Sequence, residues 1–282
     1  MTALLMAYDV DGDVRGFDPS EVEKIAEIHK EHGAPATFFI LGRLLEAPEI
    51  AGRLKRALSG ELFEVASHTY SHILLKDHPV HGQAPSLDKI EFEVKRACEL
   101  IADVFGRDCL GLRSPCGFHR GLRGAPGVLR ILWRNGIRYL SSDLRGPGDL
   151  LPSPVEKTPF WYDEEGFPDL LELPGHSWHD NVLKGITPHP ILWPPPPGNF
   201  YPQRPPRTPE EEFEVYKHEL EYALDKGLPY YSPVLHPWSI GKVDKSMRLV
   251  DLLLSHAKGL GIPIMNFSMM ADRLRAEKSC SL

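Results

Sequence analysis

Short apolar runs alternate with amphipathic segments along most of the chain. We predict β-strands at the apolar runs, near residues 3–8, 36–40, 62–66, 109–112, 138–141, 170–173, 231–235 and 262–266. Between several of these runs, apolar residues recur every three or four positions, as they do on one face of an amphipathic helix. Strands that alternate with helices predict a parallel sheet with helical crossovers, so the pattern indicates an α/β fold.

Three of the predicted helices carry clear boundary signals. Each begins at a hydroxyl residue that can cap free backbone amides and ends at a glycine, which tolerates the left-handed conformation. The predicted first residues are Ser20, which forms a capping box with Glu23, then Ser86 and Thr208, and the predicted ends are Gly33, Gly106 and Gly227.

Residues 174–207 interrupt this rhythm, because they contain ten prolines. Proline has no amide donor and a fixed φ, so we expect an irregular loop here and neither sheet nor helix interior. The segment also carries Trp178, Trp193, Phe200 and Tyr201, which are unusual in a solvated linker. We interpret it as an ordered loop that covers one end of the barrel or forms a subunit interface of a homo-oligomer.

Length and charge narrow the class of protein. A chain of 282 residues fits one large barrel-type domain, and we predict a single domain over residues 1–282. The formal net charge is −7, and no block of lysines and arginines offers a surface for nucleic acid or an anionic membrane. We therefore expect no nucleic acid and no membrane as partner.

The N-terminal run and the cysteines indicate the cellular setting. The apolar run reaches Asp9 after eight residues, which is too short for a secretion signal or a membrane span. The four cysteines show no metal-binding spacing and are too few to cross-link a chain of this length. We expect reduced thiols and a soluble, cytoplasmic protein.

Two carboxylates and two histidines follow predicted strands, where an α/β barrel carries its chemistry. Asp9 and Asp11 follow the first strand, and their spacing puts both side chains on one face if the chain stays extended. His68 and His72 follow the third, and four residues of separation would place them on one side of a helical turn. One carboxylate with two histidines leaves coordination positions open, as a catalytic metal site requires. The alternatives are an aspartate-rich turn and surface histidines.

An arginine and another histidine follow two further strands. Arg113 would need a carboxylate partner if buried, and Asp9 is the obvious one; the alternative is a surface arginine. Residues 115–117 read Pro-Cys-Gly, a tight bend that can turn backbone N–H groups toward a site. His236 would suit protonation of a leaving group, or would be a packed structural histidine. We assign His176 and Trp178, in the proline-rich segment, to substrate contact or loop packing and not to a second metal.

Taken together, these motifs resemble the polysaccharide deacetylase (NodB homology) family. The resemblance rests on the segments 8–11 (Tyr-Asp-Val-Asp), 68–72 (His-Thr-Tyr-Ser-His), 113–118 (Arg-Ser-Pro-Cys-Gly-Phe), 142–143 (Ser-Asp) and 235–236 (Leu-His), in that order. It implies a distorted (β/α) barrel with a long proline-rich insertion, which hydrolyses acetamido or related C–N bonds with one divalent metal. Zinc is the first expectation for this metal, with iron, cobalt and nickel open.

The resemblance also implies roles for individual residues. Asp9 would be the general base, oriented by Arg113, and His236 would be the general acid. The remaining implied roles are metal binding by Asp11, His68 and His72, tuning of His236 by Asp143, and a backbone N–H with an aromatic wall at Phe118.

Val10 separates the two aspartates, which are adjacent in most members of that family. This spacing is similar to a branch that includes peptidoglycan deacetylase-like and allantoinase-like proteins. The resemblance therefore implies an N-acetylated amino sugar as the expected substrate, with a small cyclic amide as the alternative; an open groove above Asp11 would favour the first and a closed cup the second. Two other classes remain: an inactive, carbohydrate-binding barrel, and a non-haem iron oxygenase, which shares the ligand set but gives Asp9 and Arg113 no role.

Overall fold

The computed structural model of the protein describes residues 1–280. Its strands are β1 (Ala3–Leu5), β2 (Ala7–Val10), β3 (Ala36–Ile40), β4 (Phe63–Ser67), β5 (Gly111–Phe118), β6 (Tyr139–Asp143), β7 (Phe160–Tyr162), β8 (Phe167–Glu172), β9 (His176–His179), β10 (Tyr230–Tyr231), β11 (Pro233–Val234) and β12 (Ile264–Met265). Its α-helices are α1 (Pro19–His32), α2 (Gly42–Leu45), α3 (Pro48–Ala57), α4 (Leu87–Phe105), α5 (Pro126–Arg134), α6 (Asp180–Leu183), α7 (Pro209–Asp225), α8 (Pro237–Val243), α9 (Arg248–Gly259) and α10 (Phe267–Cys280). A short 3-10 helix covers Pro147–Asp149.

The strands form a distorted barrel. A sheet with the order β2-β3-β4-β5-β6-β8-β7 is parallel except at β7, and β9 pairs in parallel with β11. The ring closes where the Asp9 amide donates to the Leu235 carbonyl at 2.9 Å and the Gly175 amide donates to the Asp143 carbonyl at 3.2 Å. At the other end, β1 lies between β10 and β12. The predicted α/β barrel architecture is confirmed.

Alternation along the strands determines which side chains face the barrel interior. Leu4, Met6, Tyr8 and Val10 belong to the larger apolar cluster, whereas Ala3, Leu5 and Ala7 belong to the second, smaller one. Successive residues of a strand point to opposite faces, so Asp9 continues the series of the smaller cluster. The same alternation puts Phe39 of β3 and Ala66 of β4 in that cluster. The functional residues at the strand ends therefore share the interior face.

Each of the eight predicted strands overlaps a strand of the structure. The prediction for 36–40 matches β3 residue for residue, while the strand predicted at 109–112 begins at Gly111 and continues to Phe118. The sequence analysis did not predict β7 or β9.

Two of the three predicted N-caps are confirmed. The hydroxyls of Ser86 and Thr208 accept backbone amides at the starts of α4 and α7. Ser20 is not a cap, because the Asp18 carboxylate accepts the Ser20 amide at 3.0 Å and starts α1 at Pro19. The glycines that were predicted to end the helices, Gly33, Gly106 and Gly227, all have left-handed φ angles, of 57°, 66° and 63°.

The proline-rich segment is ordered, but it is not entirely a loop. Residues 176–183 of the segment form β9 and α6, because β9 pairs in parallel with β11, so the expectation of no sheet or helix was wrong there. The rest contains no further helix or strand within the described chain. It packs on α7, where the buried Glu219 accepts from the Phe200 amide at 3.1 Å and the Asn199 side chain at 3.2 Å.

The thiols and helices carry no sign of cross-linking or membrane insertion. All four cysteines are free, as predicted. Among residues 1–280, no helix combines the length and the apolar character that crossing a bilayer would require.

Gly111→Ala tests the packing of β5 against β6. A Cβ atom at Gly111 would lie 1.9 Å from Cζ of Tyr139, whose hydroxyl donates to the half-buried Glu64 at 2.6 Å. We expect the free energy of unfolding, measured by chemical denaturation, to fall by about 1–3 kcal/mol. Gly259→Ala is the matched control, since nothing lies within 4 Å of its added carbon. Equal stability of the two variants would contradict the packing described for β5.

Candidate active site

A cavity of about 350 Å³ opens at the carboxyl ends of the barrel strands. Five of the predicted site residues line it, together with residues from other parts of the chain. The lining residues are Asp9, Asp11, His68, His72, His81, Ser114, Cys116, Leu144, Arg145, His179, Asn181, Val182, Thr187, His189, His236 and Trp238. Its volume lies near the lower end of the range for small-molecule sites.

Asp11, His68 and His72 come together as a metal-binding set. One ligand atom from each of the three lies within 4.8 Å of the others, and Nε2 of His72 is 3.5 Å from a carboxylate oxygen of Asp11. The predicted helical turn between the histidines was wrong, because Thr69 and His72 both have left-handed φ angles, of 65° and 66°. The irregular loop is held by Glu93, which accepts from the amide and the hydroxyl of Ser71 at 2.7 Å.

The neighbouring hydrogen bonds suit these three residues to a metal ion. Nδ1 of His68 lies 2.9 Å from the Arg113 carbonyl, which can only accept, so Nδ1 carries the proton and Nε2 keeps its lone pair. Trp238 donates to one oxygen of Asp11 at 2.7 Å and leaves the other oxygen free. Burial lowers the pKa of both His68 and His72 to about 4, so both rings are neutral donors near pH 7. Two imidazoles and a carboxylate fit zinc or a related divalent ion.

Asp9 and Arg113 form a buried ion pair beside the metal-binding set. Nη1 of Arg113 donates to Oδ1 of Asp9 at 2.9 Å, and Nε donates to the Ser141 hydroxyl at 3.1 Å. The guanidinium lies 4.5 Å from the ring centroid of Phe39 and 5.1 Å from that of Phe267. Burial alone would raise the pKa of Asp9, but Arg113 and the nearby histidines outweigh it and lower that pKa. Asp9 is therefore an anion with one oxygen engaged.

His236 faces Asp9 across the cavity and is held by Asp180. Its Nδ1 lies 2.6 Å from Oδ1 of Asp180, and its Nε2 lies 3.9 Å from Oδ2 of Asp9. Burial alone would lower the pKa of His236, but Asp180 outweighs it and raises the pKa to about 9. Lys184 donates to Asp180 at 3.0 Å and to Glu212 at 2.6 Å. The bond from Lys184 engages the Asp180 oxygen that does not contact His236 and so holds that carboxylate in place. His236 is thus a proton donor near neutral pH.

The structure gives Asp180 the place that the sequence analysis gave to Asp143. Asp143 pairs with Lys157 and accepts the Arg120 amide at 2.9 Å, and it makes no hydrogen bond to His236 in the described chain. Asp180 directly follows β9, so its position at a strand end was a usable signal. That strand was missed because it begins the proline-rich segment.

Three other predicted contacts lie outside the cavity wall. His176 is fully buried, and its ring stacks on that of Tyr231 with 5.9 Å between the ring centroids. Its Nδ1 accepts a hydrogen bond from the Ser232 amide at 3.0 Å. Trp178 donates to the Phe200 carbonyl at 3.0 Å and so anchors the proline-rich segment. The ring of Phe118 is fully buried in the larger apolar cluster. The lining residues that the sequence analysis did not assign to the site are His81, Ser114, Cys116, Leu144, Arg145, His179, Asn181, Val182, Thr187, His189 and Trp238.

Asp180→Asn and Asp143→Asn separate the two candidate partners of His236. Neutralising Asp180 removes the hydrogen-bonded carboxylate, so we expect the His236 pKa to fall from about 9 in Asp180→Asn. Asp143→Asn should leave it unchanged. Titration of the histidine ring signals by NMR measures both, and circular dichroism confirms folding. A fall in Asp143→Asn alone would contradict this arrangement.

The first part of the chain is similar to polysaccharide deacetylases. Residues 5–123 match the family model described as Polysaccharide deacetylase. Chitooligosaccharide deacetylase of Azorhizobium caulinodans is 28% identical over 132 residues, which cover 45% of this chain and 53% of that protein. The chain therefore matches about half the length of this curated relative.

Solved structures share the fold over nearly the whole chain. A protein from Mycobacterium smegmatis described as a polysaccharide deacetylase superposes with a TM-score of 0.69 at 22% identity, covering 98% of this chain and 91% of that one. Puue allantoinase superposes with a TM-score of 0.60 at 17% identity, covering 91% of this chain and 72% of that one. The family match includes Asp9, Arg113 and the three candidate metal ligands. Over residues 5–123, less than half of its length, the chain is thus similar to polysaccharide deacetylases.

Proposed function

We propose that the protein is a metal-dependent hydrolase that cleaves a non-peptide C–N bond in a small amide. One observation carries the proposal: an anionic carboxylate, Asp9, and a protonated imidazole, His236, face each other at 3.9 Å beside the metal-binding set. An amide hydrolase needs a base for water and an acid for the departing nitrogen, and these two groups have opposite protonation states near pH 7.

Asp11, His68 and His72 would hold the divalent ion. A zinc-like ion supplies Lewis-acid activation of water and of the scissile carbonyl when bound. The side chains are prepared for it because both imidazoles are neutral and the backbone carbonyl of Arg113 fixes the ring orientation of His68. This arrangement supports metal dependence.

Asp9 would accept the proton of the attacking water at Oδ2. Its other oxygen is engaged by Arg113, which holds the carboxylate in one orientation. The ion pair keeps the pKa of Asp9 low, so the carboxylate is available as a base down to acidic pH. A base with so low a pKa would need a water of lowered pKa, which is the chemistry that a divalent ion held by Asp11, His68 and His72 would supply.

His236 would donate its Nε2 proton to the departing nitrogen. Nδ1 is committed to Asp180, so the remaining N–H points at the cavity near Asp9. Asp180, Lys184 and Glu212 are positioning residues in this scheme, because they contact His236 or one another and do not line the cavity.

The cavity favours a small substrate over an extended glycan. Asn181, Thr187 and His189 of the proline-rich segment form part of its wall, which supports a lid role for that segment. The family favours an acetamido group on an amino sugar, released as acetate. A small cyclic amide is the second candidate, favoured by the small volume of the cavity and by the Asp9-Val10-Asp11 spacing.

Asp9→Asn and His68→Ala separate the base from the metal-binding residues. Asp9→Asn should keep metal uptake and lose roughly 10² to 10⁴-fold in turnover, because only the proton acceptor is removed. His68→Ala should lose both. Elemental analysis of dialysed protein and release of acetate or ring-opened product measure the two properties. Full activity of Asp9→Asn would exclude the base assignment, and retained metal in His68→Ala would exclude that ligand.

Substrate length tests the size of the cavity. We expect kcat/KM of the zinc-loaded protein to be at least tenfold higher for N-acetylglucosamine, or for cyclic ureides and imides, than for the N-acetylglucosamine hexamer, because the cavity has a volume of only about 350 Å³. A chelator should abolish the activity, and added zinc should restore it. Activity that rises with oligomer length would instead favour a glycan groove.

A further inference from the structure

Arg145 is a buried cation in the wall of the active-site cavity. It is 3% exposed and lines the cavity together with His81 and His189. Its Nε donates to the Cys116 carbonyl at 2.6 Å, and its two Nη atoms donate to Nε2 of His189 and, at 3.3 Å, to Nε2 of His81. A longer contact of 3.4 Å reaches the Asp149 backbone carbonyl. All of these acceptors are neutral.

The charge of Arg145 has no carboxylate partner in the described part of the chain. The Asp149 carboxylate is nearby, but it accepts the His119 amide at 2.6 Å and forms no ion pair with Arg145. Burial lowers the pKa of Arg145 to about 10, so the group is still a cation near pH 7. Arg113, by contrast, is paired with Asp9 at 2.9 Å. Buried charges in proteins are normally paired, so a buried guanidinium with only neutral acceptors is suited to bind an anion.

The histidines beside Arg145 are acceptors and do not supply that anion. Nδ1 of His189 faces the Pro190 carbonyl at 2.9 Å, so it carries the proton and Nε2 accepts from Arg145. Burial and the charge of Arg145 lower the pKa of both His189 and His81, which keeps the rings neutral. The cation also disfavours a second metal ion among these rings. The charge of Arg145 therefore favours a negatively charged ligand.

Arg145 lies within reach of a substrate that occupies the reaction centre. Cys116, whose carbonyl binds Arg145, lines the same cavity as Asp11. On the other side, His179 lines the cavity with its ring centroid 6.4 Å from that of His236. Among residues 1–280, Arg145 is the only arginine or lysine that lines the cavity. One cation suits a ligand with one negative charge.

We propose that Arg145, flanked by His81 and His189, is a subsite for a substrate carboxylate, so that the amide hydrolysed is a small anion. The inference rests on the proposed hydrolase function and names its substrate class. The carboxylate would bind the guanidinium at the cavity wall, displacing a neutral histidine acceptor, while the amide lies between Asp9 and His236. Specificity would then come from one charge-assisted contact.

Matched pairs of probes isolate the carboxylate. N-acetylmuramic acid and N-acetylglucosamine share an acetamido sugar and differ in a lactyl carboxylate; hydantoin-5-acetic acid and its primary amide share a ring. Dissociation constants are measured by calorimetry with the metal-free and the zinc-loaded protein. The values of kcat and KM are measured with the zinc-loaded protein. In at least one pair we expect the anion to bind at least tenfold more tightly than its neutral partner, also without zinc.

Variants assign any such preference to Arg145. Arg145→Gln should abolish the preference for the anion: the KM for the anion should rise, while the KM for the neutral partner stays unchanged. Arg145→Lys should retain part of the preference. Arg123→Gln is the charge-matched control, since Arg123 pairs with Glu164 at 2.5 Å and does not line the cavity. Circular dichroism and metal content show that each variant is folded.

The outcomes distinguish this subsite from the proposed reaction. Preferential binding of the anion without turnover would support the subsite and contradict the hydrolase function. Turnover with equal affinity for both members of each pair would leave the hydrolase and overturn the subsite. A preference that persists in Arg145→Gln, or that requires zinc, would place the carboxylate on the metal and overturn the subsite, as would failure of both anions to bind.

Discussion

The buried ion pair between Asp9 and Arg113 is the constraint around which the site is arranged. It joins β2 to β5 across the barrel interior at 2.9 Å, with the guanidinium packed against Phe39 and Phe267. Such a pair contributes little net stability, since desolvation offsets the attraction, but removing one partner leaves an uncompensated buried charge. Its value is geometric: the Arg113 carbonyl orients His68 while the side chain orients Asp9.

Three protonation states coexist in one cavity because each group has a different neighbour. Asp9 is an anion beside Arg113, His68 is neutral because it is buried, and His236 is a cation because Asp180 holds its proton. The burial that would favour neutral forms everywhere is overcome only where an opposite charge is in contact. This separation of a base, neutral metal donors and an acid is what amide hydrolysis requires.

The sequence was informative wherever function followed local periodicity. Asp9 and His68 lie at the ends of strands with clear apolar patterns, and Arg113 directly follows the strand predicted at 109–112, so their convergence could be predicted from the barrel's geometry. Asp180 and Arg145 could not be placed in this way. β9, which presents Asp180, exists only through its pairing with β11 inside a proline-rich segment, and Arg145 enters the site through contacts with residues far away in the chain. The helix and strand propensities of individual residues contain no information about either kind of long-range contact.

The location of a bound metal tests the central claim most directly. Crystals of the protein loaded with zinc, measured at the zinc absorption edge, should give one anomalous peak per chain, in contact with Asp11, His68 and His72. The Asp9 carboxylate should remain on Arg113 and outside the coordination sphere. A peak beside His81 and His189, or a zinc ion ligated by Asp9, would contradict the division between ligand and base.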